Sequence, residues 1–256
     1  MSGIAPIKFV AIGGGTGLST LLKGLKPYIT PLVPDARWNT EALAGQPEKA
    51  DFRPRISLTA IVTVTDDGKS SGRLRGEFSV LPPGDIRNCL VALADEDRLI
   101  THLFRHRFPG DGAIGGHSLG NLILLALNQM GGSFLQAVDQ ARAMLGITAR
   151  VLPSTLDGVD LVAQVDGRLI RGQVAIKSQN APIRELTISP QDARALDEAV
   201  EAILDADLIT LGPGSLFTSV IANLLVRGIA DALFIRRALR DSLRRTLYRF
   251  SVEPDD

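Results

Sequence analysis

The sequence predicts an α/β protein: an open, mainly parallel sheet with helices on both faces and a small antiparallel hairpin. Three observations point there. Apolar runs at Lys8–Ile12, Ile56–Thr65 and Asp207–Leu211 each end in a polar loop that contains glycine. Helix-like apolar spacing resumes beyond these loops, which makes a series of strand–loop–helix junctions. Finally, the alternating segment Asp160–Ile176 has Asp166-Gly167 at its centre, a pairing suited to a tight hairpin turn.

In chain order, the strand Lys8–Ile12 is broken by Gly13-Gly14-Gly15-Thr16-Gly17 and followed by a helical pattern, Leu18–Leu25, which Pro27 stops. Residues 29–55 hold four prolines and the only tryptophan, Trp38, and read as an irregular insertion. Ile56–Thr65 is rich in β-branched residues and apolar on both faces, as a central parallel strand should be. A polar loop, Thr65–Arg75, follows it. Pro82-Pro83-Gly84-Asp85 then opens a helix over Ile86–Ala94, with Asp85 as the expected N-cap. Helical spacing continues through Leu99–Phe108, Leu119–Met130 and Phe134–Leu145. Beyond a strand near Ala149–Leu152 and the hairpin, a strand at Ile183–Ile188 precedes a helix at Pro190–Leu204, with proline in its first turn. The strand Asp207–Leu211 runs into Gly212-Pro213-Gly214-Ser215 and a helix over Leu216–Val226.

Composition limits the function classes. Among 256 residues, 28 basic and 28 acidic side chains cancel, which argues against a non-specific nucleic-acid binder, whose affinity comes from neutralising phosphates. One cysteine excludes a disulfide framework or a multi-cysteine metal site. The most apolar stretch, Val220–Ile235, is interrupted by Asn223, Arg227 and Asp231 and is shorter than the ~20 residues a bilayer requires. With no signal-peptide plan at the N-terminus, a cytoplasmic protein without integral membrane association is expected.

The glycine loops carry the chemistry. Each offers backbone N–H groups at a helix N-terminus, which attract anionic oxygen. In Gly13, Gly14, Gly15, Thr16 and Gly17 the missing side chains let backbone approach a phosphate, and Thr16 adds a hydroxyl. The dinucleotide fingerprint would need glycine where Leu18 stands, and a Walker A loop ending at Gly68-Lys69-Ser70 would need glycine where Thr63 stands. Both patterns fail. The second loop combines Asp66 and Asp67, able to hold Mg²⁺ or a ribose hydroxyl, with Ser70, Ser71 and Arg73, whose guanidinium suits phosphate oxygens. Asp85, Arg87 and Asn88 open the next helix, and Asp85 could equally serve as a cap. His117 and Asn121 stand four apart, on one helical face if a helix begins near Ser118. Gly212, Gly214 and Ser215 complete the candidate ligand-binding set. No nucleophile–base–orienter triad is apparent, so no catalytic residue is assigned.

Six motifs in order, from Ile12-Gly13-Gly14-Gly15-Thr16-Gly17 through Thr65-Asp66-Asp67-Gly68, Ser70-Ser71-Gly72-Arg73-Leu74-Arg75, Pro82-Pro83-Gly84-Asp85-Ile86-Arg87-Asn88 and Gly116-His117-Ser118-Leu119-Gly120-Asn121 to Leu211-Gly212-Pro213-Gly214-Ser215-Leu216, resemble the gluconeogenesis factor family (YvcK, CofD-like). That family is related to the 2-phospho-L-lactate transferases. The resemblance implies a Rossmann-like domain over residues 1–232 that binds a nucleotide sugar, UDP-N-acetylglucosamine. It implies a regulatory role in cell shape and wall synthesis during gluconeogenic growth, with no required cofactor. The alternative it leaves is a transferase acting on a nucleoside-diphosphate-linked substrate, with Mg²⁺ at Asp66 and Asp67. A homo-oligomer is expected. Residues 233–256 depart from the family. Leu233–Phe250 reads as a basic amphipathic helix with Ile235, Leu239, Leu243 and Leu247 on one stripe.

Overall fold

The structure is a computed structural model that describes residues 5–29 and 55–235. Most of the insertion at 29–55, with Trp38, and the basic tail beyond residue 235 lie outside the described residues.

Four parallel strands form the main sheet, in the order β3-β2-β1-β7. They are β1 (Ile7–Gly13), β2 (Ile56–Val62), β3 (Arg150–Pro153) and β7 (Leu208–Leu211). Leu58 to Val62 are buried without a break, so β2 is covered on both faces, as its unalternating apolar sequence requires. Helix α1 (Gly15–Leu25) packs against α3 (Gly84–Leu93) through Leu18, Leu22, Ile86 and Leu90, all fully buried. Helix α8 (Asp197–Asp205) lies against β1 and β3 and carries α10 (Ile229–Ile235). Helices α4 (Leu99–Arg105), α5 (Leu119–Gly131) and α6 (Phe134–Leu145) complete the helical layers.

The predicted hairpin is present as β4 (Asp160–Val165) and β5 (Arg168–Arg171), turning at Asp166-Gly167 with both residues at positive φ. It is larger than expected. The strand near Ile183–Ile188, β6 (Ile183–Ser189), adds to β4 and gives a three-stranded antiparallel sheet, β5-β4-β6.

Several local expectations fail for identifiable reasons. The second loop is not irregular through Arg75: helix α2 (Lys69–Phe78) begins inside it, with Ser70, Ser71 and Leu74 buried on one side. Asp85 is not the N-cap of α3. Pro83 takes that position and Asp85 sits in the first turn. The alternation to Ile176 ends early, because Gly172 turns at φ +96° and α7 (Gln173–Lys177) starts behind it. No helix begins at Pro190: residues 193–196 spend their backbone groups elsewhere, Ala195 N–H on Arg227 C=O and Leu196 N–H on Ser154 C=O. Helix α4 stops at Arg105 because residues 106–108 pair with 117–119. The segment after Ser215 opens as π-helix over Leu216–Ile221 before α9 (Ala222–Leu224).

Candidate functional site

The chain builds β1, β2 and β3 to one side and later adds β7 on the other side of β1. The loops leaving β1 and β7 therefore emerge side by side, at the point where strand order reverses. Open α/β sheets bind ligands in that crevice. The two loops touch. A Cβ on Gly17 would strike the Pro213 carbonyl and stand 3.0 Å from Gly214 Cα, and one on Gly14 would lie 2.6 Å from Ser219 Oγ. Asn223, fully buried, ties them together by donating from Nδ2 to Gly13 C=O (3.1 Å) and Ser219 C=O (2.6 Å). The glycines thus serve close loop packing as well as any ligand. Thr16 and Ser215 are exposed at the rim.

Gly14 is the N-cap of α1 and has no side chain with which to cap it. Asp85 supplies the missing acceptor from α3: its carboxylate takes a hydrogen bond from Gly15 N–H and lies where a Cβ on Gly15 would be. Burial, reinforced by the nearby charge of Asp66, raises the Asp85 pKa from 3.8 to about 6. The Gly15 amide, Lys177 and Arg87 pull the other way. One amide of the first loop is therefore already matched to a carboxylate, and a phosphate arriving there meets a site partly neutralised.

Gly84 links this corner to the second loop. Its N–H donates to Ser71 Oγ (3.1 Å), and a Cβ on it would lie 3.0 Å from Asp66 Oδ2. The loops after β1 and β2 thus meet around Gly84-Asp85, and the loop after β7 joins them through Gly14 and Gly17. Asp66 and Asp67, adjacent in sequence, diverge in space. Asp66 Oδ1 accepts from Gly68 N–H (3.1 Å), whereas Asp67 Oδ1 accepts from Val174 N–H at the start of α7 (2.9 Å). Among the described residues no group of three or more His, Cys, Asp and Glu could hold a metal ion.

Ser70, His117 and Asn121 form a buried cluster. Ser70 Oγ lies 2.9 Å from His117 Nδ1 and accepts from Asn121 Nδ2 at 3.0 Å. Burial lowers the His117 pKa, as do the charges of Arg73 and Arg107, against Glu77. With a neutral imidazole accepting at Nδ1, the Ser70 proton has its place. A serine hydroxyl facing a neutral histidine is a nucleophile–base pair in outline, though both side chains are only 3–4% exposed. Asn121 does lie in the first turn of a helix capped by Ser118, whose Oγ accepts Asn121 N–H.

Arg73 is bonded to the loop before α5. Its guanidinium donates to Gly115 C=O (2.7 Å) and Ala113 C=O (2.8 Å) and fixes the loop that carries His117. Arg87 donates to Asn88 Oδ1 (2.7 Å), and burial followed by the Arg107 charge lowers its pKa to about 10. Arg107 has no place in the sequence-derived set, whereas Ser219 and Asn223 stand in the helical segment after Ser215 that the sequence already brings to the same edge. Arg107 arrives through a non-local pairing with Ser118, for which the local sequence carries no signal.

Glycine-loop junctions meeting at a strand-order reversal, with polar groups around them, define an open α/β protein with a candidate site at its switch point. The family described as 2-phospho-L-lactate transferase CofD matches residues 9–240, and this chain belongs to it. The gluconeogenesis factor of Bacillus subtilis is 42% identical over 225 residues, 88% of this chain and 63% of its own length. That of Halalkalibacterium halodurans is 40% identical over 225 residues, 88% of this chain and 62% of its own. A crystal structure of a UPF0052 family member from Bacillus halodurans is similar at TM-score 0.79 and 39% identity, covering 92% of this chain and 68% of that one. The chain spans about half to two thirds of the curated relatives' length, down to 46% for a relative from Nostoc sp.. Among the described residues no helix is long and apolar enough to cross a membrane.

Proposed function

We propose that this chain is a regulatory protein of the cytoplasm that binds UDP-N-acetylglucosamine at the β1–β7 switch point and supports cell shape and wall synthesis during gluconeogenic growth. The observation that carries the reading is the meeting of Gly13–Gly17, Gly212–Ser215 and the Gly84-Asp85 corner at one edge of a parallel sheet. Backbone N–H groups at such an edge suit a diphosphate. The name gluconeogenesis factor, carried by relatives at about 40% identity, supports the link to gluconeogenic growth.

A second reading, a transferase acting on a nucleoside-diphosphate-linked substrate with Mg²⁺, draws support from the family's description and from the Ser70–His117 contact. Titration calorimetry with UDP-N-acetylglucosamine, UDP, GDP and GTP, each with and without Mg²⁺, separates the two. Saturable, uridine-dependent binding is expected. Binding that requires Mg²⁺ and prefers guanosine would replace the first reading with the second, and no binding of any of the four would end both.

A further inference from the structure

Apolar surface is left uncovered around the last turn of α10. Phe234 and Ile235 there are 80% and 72% exposed, and Leu208 and Leu204 nearby are 49% and 38% exposed. These side chains belong to three adjoining elements. Helix α8 ends at Asp205, β7 begins at Leu208, and α10 packs on α8. Arg194 and Arg227 pair in parallel just ahead of the two helices, which sets both running toward the start of β7. Among the described strands β7 is an edge, bonded to β1 on one side only. Single surface leucines need no explanation, but an apolar patch beside an open sheet edge calls for a cover.

Charge describes that cover. The exposed side of α8 carries Asp197, Glu201 and Asp205 at a spacing of four, one stripe along the helix. Val200 and Leu204 form an apolar stripe beside it. Asp205 pairs with Lys8 (2.7 Å), whereas Asp197 and Glu201 have no ion pair among the described residues. Asp197 complements the positive dipole end of its helix. Glu201 and Asp205 stand toward the negative end, and no basic residue occupies the last turn. A partner that is cationic and apolar at once suits both stripes.

The sequence beyond Ile235 has the matching pattern. Arg236, Arg240 and Arg244 repeat at the same spacing, each one residue after Ile235, Leu239 and Leu243 of the apolar stripe. On α8 the order is the same, Val200 before Glu201 and Leu204 before Asp205. In an antiparallel helix pair, flanks of the same hand face each other, so guanidinium groups meet carboxylates while hydrocarbon meets hydrocarbon. Reach is no obstacle, because the nine residues of α8 are only about 14 Å long and residue 236 follows directly from the helix packed against it. Exposed ion pairs alone contribute little, so the apolar contact is part of the requirement. We propose that residues 236–250 of this chain dock on the outer face of α8 beside the β7 edge, arginines on the acidic stripe and leucines on the exposed apolar residues. This docking is independent of any ligand at the switch point.

Trypsin, which cleaves after arginine, reads the contact in the full chain. Cleavage after Arg244 and Arg245 should be at least tenfold slower than in a synthetic peptide of residues 233–256. Glu201 and Arg240 are the central members of their stripes and face each other whichever way the segment runs. Glu201→Lys and Arg240→Glu should each speed that cleavage at least threefold, and the double variant should regain most of the protection. Glu201 is exposed, so circular dichroism should show the fold of each variant unchanged. Cleavage as fast as in the peptide, or equal in the native chain and both single variants, would overturn the proposal. So would saturable co-sedimentation of the native chain with phosphatidylglycerol vesicles, lost in Arg240→Glu, which would assign the segment to a lipid surface. A concentration-dependent dimer in light scattering, lost in the same variant, would overturn it in favour of a second copy.

Discussion

Asp85→Asn is the substitution that most directly tests how the site corner is built. The carboxylate is half-buried, faces Asp66 and accepts from Gly15 N–H, with a pKa near 6 in the folded chain against 3.8 unfolded. A carboxyl with a raised folded pKa holds its proton more tightly when folded. Its contribution is therefore most favourable at low pH and is lost as pH rises from about 4 to about 6. Multiplying the separation of the two values by 1.36 kcal/mol per pH unit gives about 3 kcal/mol of destabilisation at pH 7.5. Asparagine keeps the shape and can still accept from Gly15 through Oδ1, but it has no charge to desolvate. Urea unfolding of both proteins at pH 7.5 should show Asp85→Asn the more stable, by up to roughly that amount, with the difference shrinking toward zero near pH 4. A variant less stable at both pH values, by the same margin, would refute the reasoning: Asp85 would then be a net-favourable cap rather than a strained one.

Gly15→Ala should destabilise by at least about 1–3 kcal/mol, because the new methyl falls on the Asp85 carboxylate and α1 and α3 must part; thermal unfolding reads this directly. Arg73→Ala should release the Ala113–Gly115 loop, seen as faster amide exchange there. If Arg73 also reaches a diphosphate, affinity should drop by ~1.5–3 kcal/mol, and unchanged affinity would leave the residue a purely structural clamp. Leu90→Ala, at a fully buried position between α1 and α3, should cost about 2–5 kcal/mol in chemical denaturation without altering ligand affinity measured below the transition.

The sheet was legible because its evidence is local. β2 announces itself by an apolar run without alternation, and the hairpin by Asp166-Gly167. The site loops were legible for the same reason, since clustered glycines mark close backbone approach wherever the chain goes next. What escaped the sequence is contact made at a distance. Asp85 looks like a cap for its own helix and instead serves α1, some 70 positions earlier, a choice set by the α1–α3 packing. Asp66 and Asp67 look like a paired ligand set until β2 ends and the backbone turns, sending one carboxylate to Gly68 and the other to α7. The false helix start at Pro190 shows the same limit: Ala195 and Leu196 are claimed by Arg227 and Ser154, partners no window of sequence contains.

These distant contacts bear on what the glycine loop is for. If Gly13–Gly17 existed only to cradle a ligand, alanine at Gly14 or Gly17 would weaken binding and leave the fold alone. The geometry argues otherwise, because the atoms that exclude a Cβ there belong to the protein: Ser219 Oγ at Gly14, the Pro213 carbonyl at Gly17. The same packing that forbids side chains holds the loops after β1 and β7 together, with Asn223 bonded to both. The two loops can meet because neither Gly14 nor Gly17 has a side chain in the way, so loop packing and the candidate site depend on the same glycines. A ligand here would exploit backbone groups already positioned by the fold, which costs little reorganisation on binding.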